Sequence, residues 1–133
     1  MGAFLVPLAA AILPFVLWLV ELVLPFPAVV EELAKAGLVL AVSRWQRWTG
    51  LGVIVAAGIV FSFSETVLYS FNLLTVGDSS TFLTRLLLTT SLHTGTMVIM
   101  WLFVQFDRRL IVLGFIVAVA LHAWYNAAVG LIR

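Results

Sequence analysis

The stretch Leu24-Pro25-Phe26-Pro27-Ala28-Val29-Val30-Glu31-Glu32-Leu33-Ala34-Lys35 decides how this chain folds. Pro25 and Pro27 end one apolar run, because proline cannot continue a helix and restricts the residue before it. Two adjacent carboxylates and a lysine follow at once, in a chain that has few other charges. Whether those charges meet water or lie in a membrane depends on the depth at which the proline break sits.

Composition sets the surroundings. Of 133 residues, 64% are hydrophobic and only 10% charged, with a mean hydropathy of +1.22. Soluble domains carry about 25% charged residues. So few charges cannot cover a water-facing surface. The expectation is all-α: a polytopic transmembrane helical bundle of about five membrane helices with a short second helix, forming a single domain over residues 1–133. There are no cysteines, which excludes disulfides, thiolate nucleophiles and cysteine metal sites. A net charge of +1 implies no nucleic acid partner. The N-terminal apolar run lacks a basic leader and is longer than a signal-peptide core, so it reads as a retained span.

Working outward from the proline break, apolar runs place the spans at about 4–24, 28–42, 51–73, 81–104 and 110–132. Residues 43–50 read as a polar linker, with Arg44, Trp45, Arg47 and Trp48 as an interfacial anchor. Residues 75–80 read as a turn-rich loop and 106–109 as a short basic loop. Arg44, Arg47, Arg108 and Arg109 then fall on one side. The positive-inside rule makes that side, and the N-terminus, cytoplasmic. The protein is expected to be integral to the lipid bilayer of a prokaryotic cell membrane.

A charge at the bilayer centre costs about 2.5–3.5 kcal/mol on insertion scales, so each one needs a reason. Counting at 1.5 Å per residue, Glu65 lies roughly 12 Å, His93 roughly 18 Å and His122 roughly 15 Å from the outer end of its span. The second helix has only about 15 residues, or roughly 22 Å, against a hydrocarbon core of about 30 Å. With Arg44 anchoring its inner end, Glu32 stands roughly 18 Å above that interface. Glu31 and Glu32 therefore join Glu65, His93 and His122 only if residues 25–27 form a re-entrant break lining a cavity, where irregular backbone is tolerated. Glu31 and Lys35, four apart, are expected to pair. His122 and Asn126 share a face by the same spacing.

Taken singly, these residues have plainer explanations. A lone membrane histidine commonly makes a helix–helix hydrogen bond, and Asn126 alone fits packing. Glu21 is expected at the outer interface in contact with water, and Arg85 is expected to snorkel outward. Ser62, Ser64, Thr89, Thr90 and Thr94 are expected to bond to backbone carbonyls rather than act as nucleophiles. Three glutamates and two histidines at one depth are different: they have the composition of a zinc site with a carboxylate base. A proton or cation conduit could use the same residues, as could a non-enzymatic membrane scaffold.

Four short motifs occur in order: Glu31-Glu32-Leu33-Ala34-Lys35, Phe61-Ser62-Phe63-Ser64-Glu65, a mid-span His93, and His122-Ala123-Trp124-Tyr125-Asn126. Together they resemble the PrsW family of intramembrane metalloproteases, grouped with the CAAX prenyl endopeptidases and bacteriocin-processing membrane proteases. The resemblance covers about 30–126. It implies an endopeptidase that hydrolyses membrane-associated proteins with a metal-activated water, an anti-sigma factor being one such substrate. On that implication Glu65, His93 and His122 are the zinc ligands and Glu31 or Glu32 is the general base. Asn126 orients a ligand or the oxyanion, and Lys35 balances the carboxylates.

Overall fold

The computed structural model describes residues 2–45, 47–73 and 79–130. Five α-helices make up the described fold: α1 (Gly2–Glu21), α2 (Pro27–Val42), α3 (Arg47–Leu73), α4 (Ser79–Phe106) and α5 (Ile111–Gly130). A 3-10 turn at Arg108–Leu110 joins the last two. Its entry is capped by Asp107, whose carboxylate accepts from the Arg109 backbone N–H at 2.7 Å. Four of the helices, all but α2, are long and apolar enough to cross a membrane. The chain is an integral membrane protein built as a polytopic helical bundle, with α2 at 16 residues as its short member.

Two boundaries differ from the sequence reading. Helix α3 starts at Arg47, so residues 47–50 of the expected linker are helical. Gly50 explains why they can be: it lies against Trp101 so closely that a Cβ there would stand 2.3 Å from the indole ring. That contact closes α3 onto α4 before the apolar run begins. Ser79 and Ser80 belong to α4; the rest of the expected loop at 75–80 lies outside the described residues.

The break between α1 and α2 satisfies much of its own backbone. Leu22, Val23 and Leu24 donate to carbonyls of Trp18 and Val20, and Val29 and Val30 donate to Phe26. Pro25 and Pro27 have no N–H to satisfy. A turn with few free donors is the kind an apolar medium tolerates, since each unsatisfied amide there costs several kcal/mol. Depth agrees with this. Along α2, Glu32 stands roughly 7 Å from Pro27, whereas along α4 its neighbour His93 stands roughly 21 Å from Ser79. The turn therefore lies well below the end of α4.

Helix packing follows from small residues and close backbones, since lipid offers no hydrophobic drive between helices. α1 and α4 both pack along α3, and α5 packs along α4. Ala57, Phe61, Met97, Met100, Trp101 and Ala118 are at or near zero exposure in this interior. At Gly58 a Cβ would come within 2.6 Å of the Thr94 Cα, which is backbone and cannot swing aside. Gly52, on the same helix, has nothing within 4 Å.

These two glycines make a matched test. Gly58→Ala is expected to destabilise the bundle by about 1–3 kcal/mol through overpacking. Gly52→Ala is expected to be neutral or to gain up to about 1 kcal/mol in helix propensity. Thermal unfolding in detergent reads both, and equal losses at the two positions contradict this packing.

Candidate metal centre

The centre is built from residues that could not otherwise remain in a membrane interior. Glu32 and Lys35 are both fully buried on α2, one helical turn apart. The Lys35 ammonium donates to Glu32 Oε1 at 2.5 Å. It also reaches His93 Nδ1 on α4 at 2.6 Å and lies 5.0 Å from the centroid of the Phe61 ring. The expected pairing of Glu31 with Lys35 is therefore replaced by Glu32 with Lys35. Three-residue spacing brings the pair onto the face that meets α4, while Glu31 turns toward α5 and α1.

Glu32 Oε1 carries a second partner, His122 Nδ1 on α5, at 2.8 Å. A carboxylate accepts, so Nδ1 carries the proton and the Nε2 lone pair is left open. The nearest acid to that Nε2 is Glu31 Oε2 at 3.8 Å, too far for a hydrogen bond. His93 is set the other way. An ammonium can only donate, so Nδ1 accepts from Lys35 and the neutral ring carries its proton on Nε2. That Nε2 lies in close contact with Glu65 Oε2 on α3, without hydrogen-bond alignment. The two imidazoles meet edge to face, with centroids 5.2 Å apart.

One ligand atom each from Glu31, His93 and His122 lie within 4.8 Å of one another, and all three residues are buried. Glu65 is not in that set; its carboxylate meets His93 Nε2 and lines one crevice with Glu31. Glu31 Oε2 and Glu32 Oε2 are buried without a hydrogen-bond partner. Buried, unpartnered carboxylate oxygens beside two imidazoles are what a cation would satisfy. The donor set of two nitrogens and one oxygen suits a hydrolytic zinc site that keeps an open position.

The sequence reading missed Glu21. It lies against Glu31, and the two line one crevice with Glu65. An extended first span puts it at the water interface. In the fold α1 ends at Glu21, because the low proline turn brings both of its arms to the depth of the site. Asn126, one turn beyond His122, is exposed and makes no hydrogen bond to the cluster. Arg85 lies over the Tyr69 ring, 5.1 Å from its centroid. Hydroxyls that were expected to bond to backbone bridge helices instead: Ser62 with Thr90 at 2.9 Å and Thr89 with Tyr125 at 3.1 Å.

Against known proteins, the model for the PrsW family intramembrane metalloproteases matches residues 3–133, essentially the whole chain. No curated protein and no solved structure matches it.

Removing Lys35 tests the electrostatics of the centre. Lys35→Met leaves a buried carboxylate without its cation and is expected to cost about 3–5 kcal/mol of stability. Adding Glu32→Gln to it should recover part of that loss. A single variant as stable as the parent in detergent unfolding contradicts the assigned network.

Proposed function

The chain belongs to the PrsW family, and from that premise we propose that it is a zinc-dependent intramembrane endopeptidase acting on membrane-associated proteins. The observation that carries the proposal is the approach of Glu31, His93 and His122 within 4.8 Å inside a membrane bundle. These three residues would hold the metal. When bound, it would polarise the scissile carbonyl and supply an activated water.

The contacts of Glu32, Lys35 and Glu65 support a task for each. Glu32 fixes the His122 tautomer through Nδ1, the usual carboxylate–histidine arrangement behind a metal ligand. Lys35 keeps Glu32 charged and holds the His93 ring in place. Ligation through His93 Nε2 needs the ring's one proton on Nδ1: Lys35 would supply it there as the Nε2 proton leaves through Glu65 to solvent. Glu65, again a carboxylate, would take the proton of the attacking water and return it to the leaving amine. Relative to the sequence assignment, Glu31 and Glu65 exchange roles and Glu32 becomes a positioning residue. Asn126, on the same face as His122, would donate its amide to the developing oxyanion.

The closeness of Gly50 to Trp101 supports the orientation, because it brings the loop before α3 and the loop after α4 to one end of the bundle. Arg44, Arg108 and Arg109 would then mark the cytoplasmic side of a prokaryotic membrane, with the N-terminus on that side. The substrate would be a membrane protein, an anti-sigma factor being one candidate.

Metal content and reporter cleavage in detergent test the roles together. Glu31→Gln and His122→Ala are expected to lose both bound zinc and cleavage. Glu65→Gln is expected to keep zinc and lose cleavage by about 100-fold or more. Glu32→Gln should weaken zinc binding by about 10–100-fold. Zinc loss with Glu65→Gln but retention with Glu31→Gln restores the sequence assignment. Absence of hydrolysis in the zinc-loaded parent favours a conduit or scaffold.

A further inference from the structure

Helix α3 carries Phe61, Glu65 and Tyr69 at four-residue spacing, so the three share one face. Tyr69 stands roughly 6 Å beyond Glu65 along the helix axis. That face meets the crevice between α1, α2 and α3, where Glu21 and Glu31 join Glu65 and Tyr69 in the lining. The enclosed space has room for about one water molecule and not for a side chain. Glu31 and Glu65 are also the ligand and the base proposed for the centre. A water that fills this space therefore lies beside the base.

The polar groups of the lining differ in what they can do to a water. An ionised carboxylate only accepts a hydrogen bond, and the Trp18 indole, also in the lining, only donates one. The Tyr69 phenol does both while staying neutral. Its hydroxyl lies within electrostatic reach of Glu65, Glu21 and Glu31. The ring is held from α4, where the Arg85 guanidinium lies over it, 5.1 Å from its centroid. An arginine in this half of a membrane bundle would otherwise extend to the interface. Here it stacks on the tyrosine that lines the crevice.

We propose that the crevice is the seat of the attacking water and that Tyr69 is a further catalytic residue, which orients that water through its phenolic oxygen. One O–H of the water points at Glu65 and the other at the Tyr69 oxygen. With both protons turned inward, a lone pair faces out of the crevice toward the scissile carbon. As the water oxygen bonds to that carbon, its O–H bond toward Glu65 breaks and Glu65 takes the proton. Tyr69 keeps its own proton throughout. Arg85 is a positioning residue that acts through the Tyr69 ring. The inference rests on the proteolytic reading of the centre and adds the residue that aims its nucleophile.

The test uses the zinc-loaded full chain in proteoliposomes, a membrane-anchored reporter, and the variants Tyr69→Phe, Arg85→Met and the two combined. Tyr69→Phe keeps the ring and removes only the hydroxyl. It is expected to lower kcat by about 30-fold, with KM and bound zinc within about twofold of the parent. Arg85→Met is expected to lower kcat by about fivefold alone, and by less than about twofold in the Tyr69→Phe background, since its effect passes through the hydroxyl. Crystals of the zinc-loaded protein give a readout independent of turnover. They should hold one ordered water within hydrogen-bond distance of both Tyr69 Oη and Glu65, lost in Tyr69→Phe. A Tyr69→Phe variant with kcat within about threefold of the parent overturns the proposal. So does a loss of kcat matched by an equal loss of bound zinc, or a crevice without a water on Tyr69. Each of these leaves the proteolytic reading intact. A parent that hydrolyses no reporter overturns both.

Discussion

The Lys35 ammonium lies at zero exposure among helices that face lipid, and the rest of the site is arranged around that fact. An unpaired charge there is too expensive to keep, so Glu32 and His93 must meet it. Meeting it ties α2 to α4. Glu32 then shares the same carboxylate oxygen with His122 and ties in α5. His93 in turn faces Glu65 and ties in α3. One buried cation thus sets the relative depth of four helices. The same constraint leaves His122 Nε2 without a hydrogen bond, 3.8 Å from the unpartnered Glu31 Oε2.

The fold brings this about by an unusual use of length. α2 is too short to cross the bilayer, and its start lies below the end of α4. A turn at that depth is affordable because two of its residues are prolines and five neighbouring amides bond to nearby carbonyls. Lowering the turn carries the end of α1 down with it. Glu21 therefore reaches Glu31, and α1 helps to line the crevice that Glu31 and Glu65 share.

Much of this was legible in the sequence because depth in a membrane can be counted. The short second span, with Arg44 at its inner end, was enough to bring Glu31 and Glu32 level with Glu65, His93 and His122. Rotation about each helix was less legible. Spacing allows Lys35 to pair with either Glu31 or Glu32, and only the position of α4 selects Glu32. Spacing likewise cannot say that Glu31 is the carboxylate that shares a 4.8 Å cluster with both imidazoles, while Glu65 meets His93 alone. Glu21 was missed for a different reason. A lowered turn lowers the end of the first span as much as the start of the second, and nothing in the first span's composition marks this. The start of α3 escaped as well, since nothing in residues 47–50 announces that Gly50 will be covered by Trp101.

The central claim is that two imidazoles and one carboxylate gather around a single point in the bundle. X-ray absorption at the zinc edge of the zinc-loaded protein tests it most directly. The account predicts a four-coordinate ion with two imidazole nitrogens at about 2.0–2.1 Å and oxygen ligands at about 2.0–2.2 Å. A shell of oxygens without imidazole scattering, or a single imidazole, contradicts it.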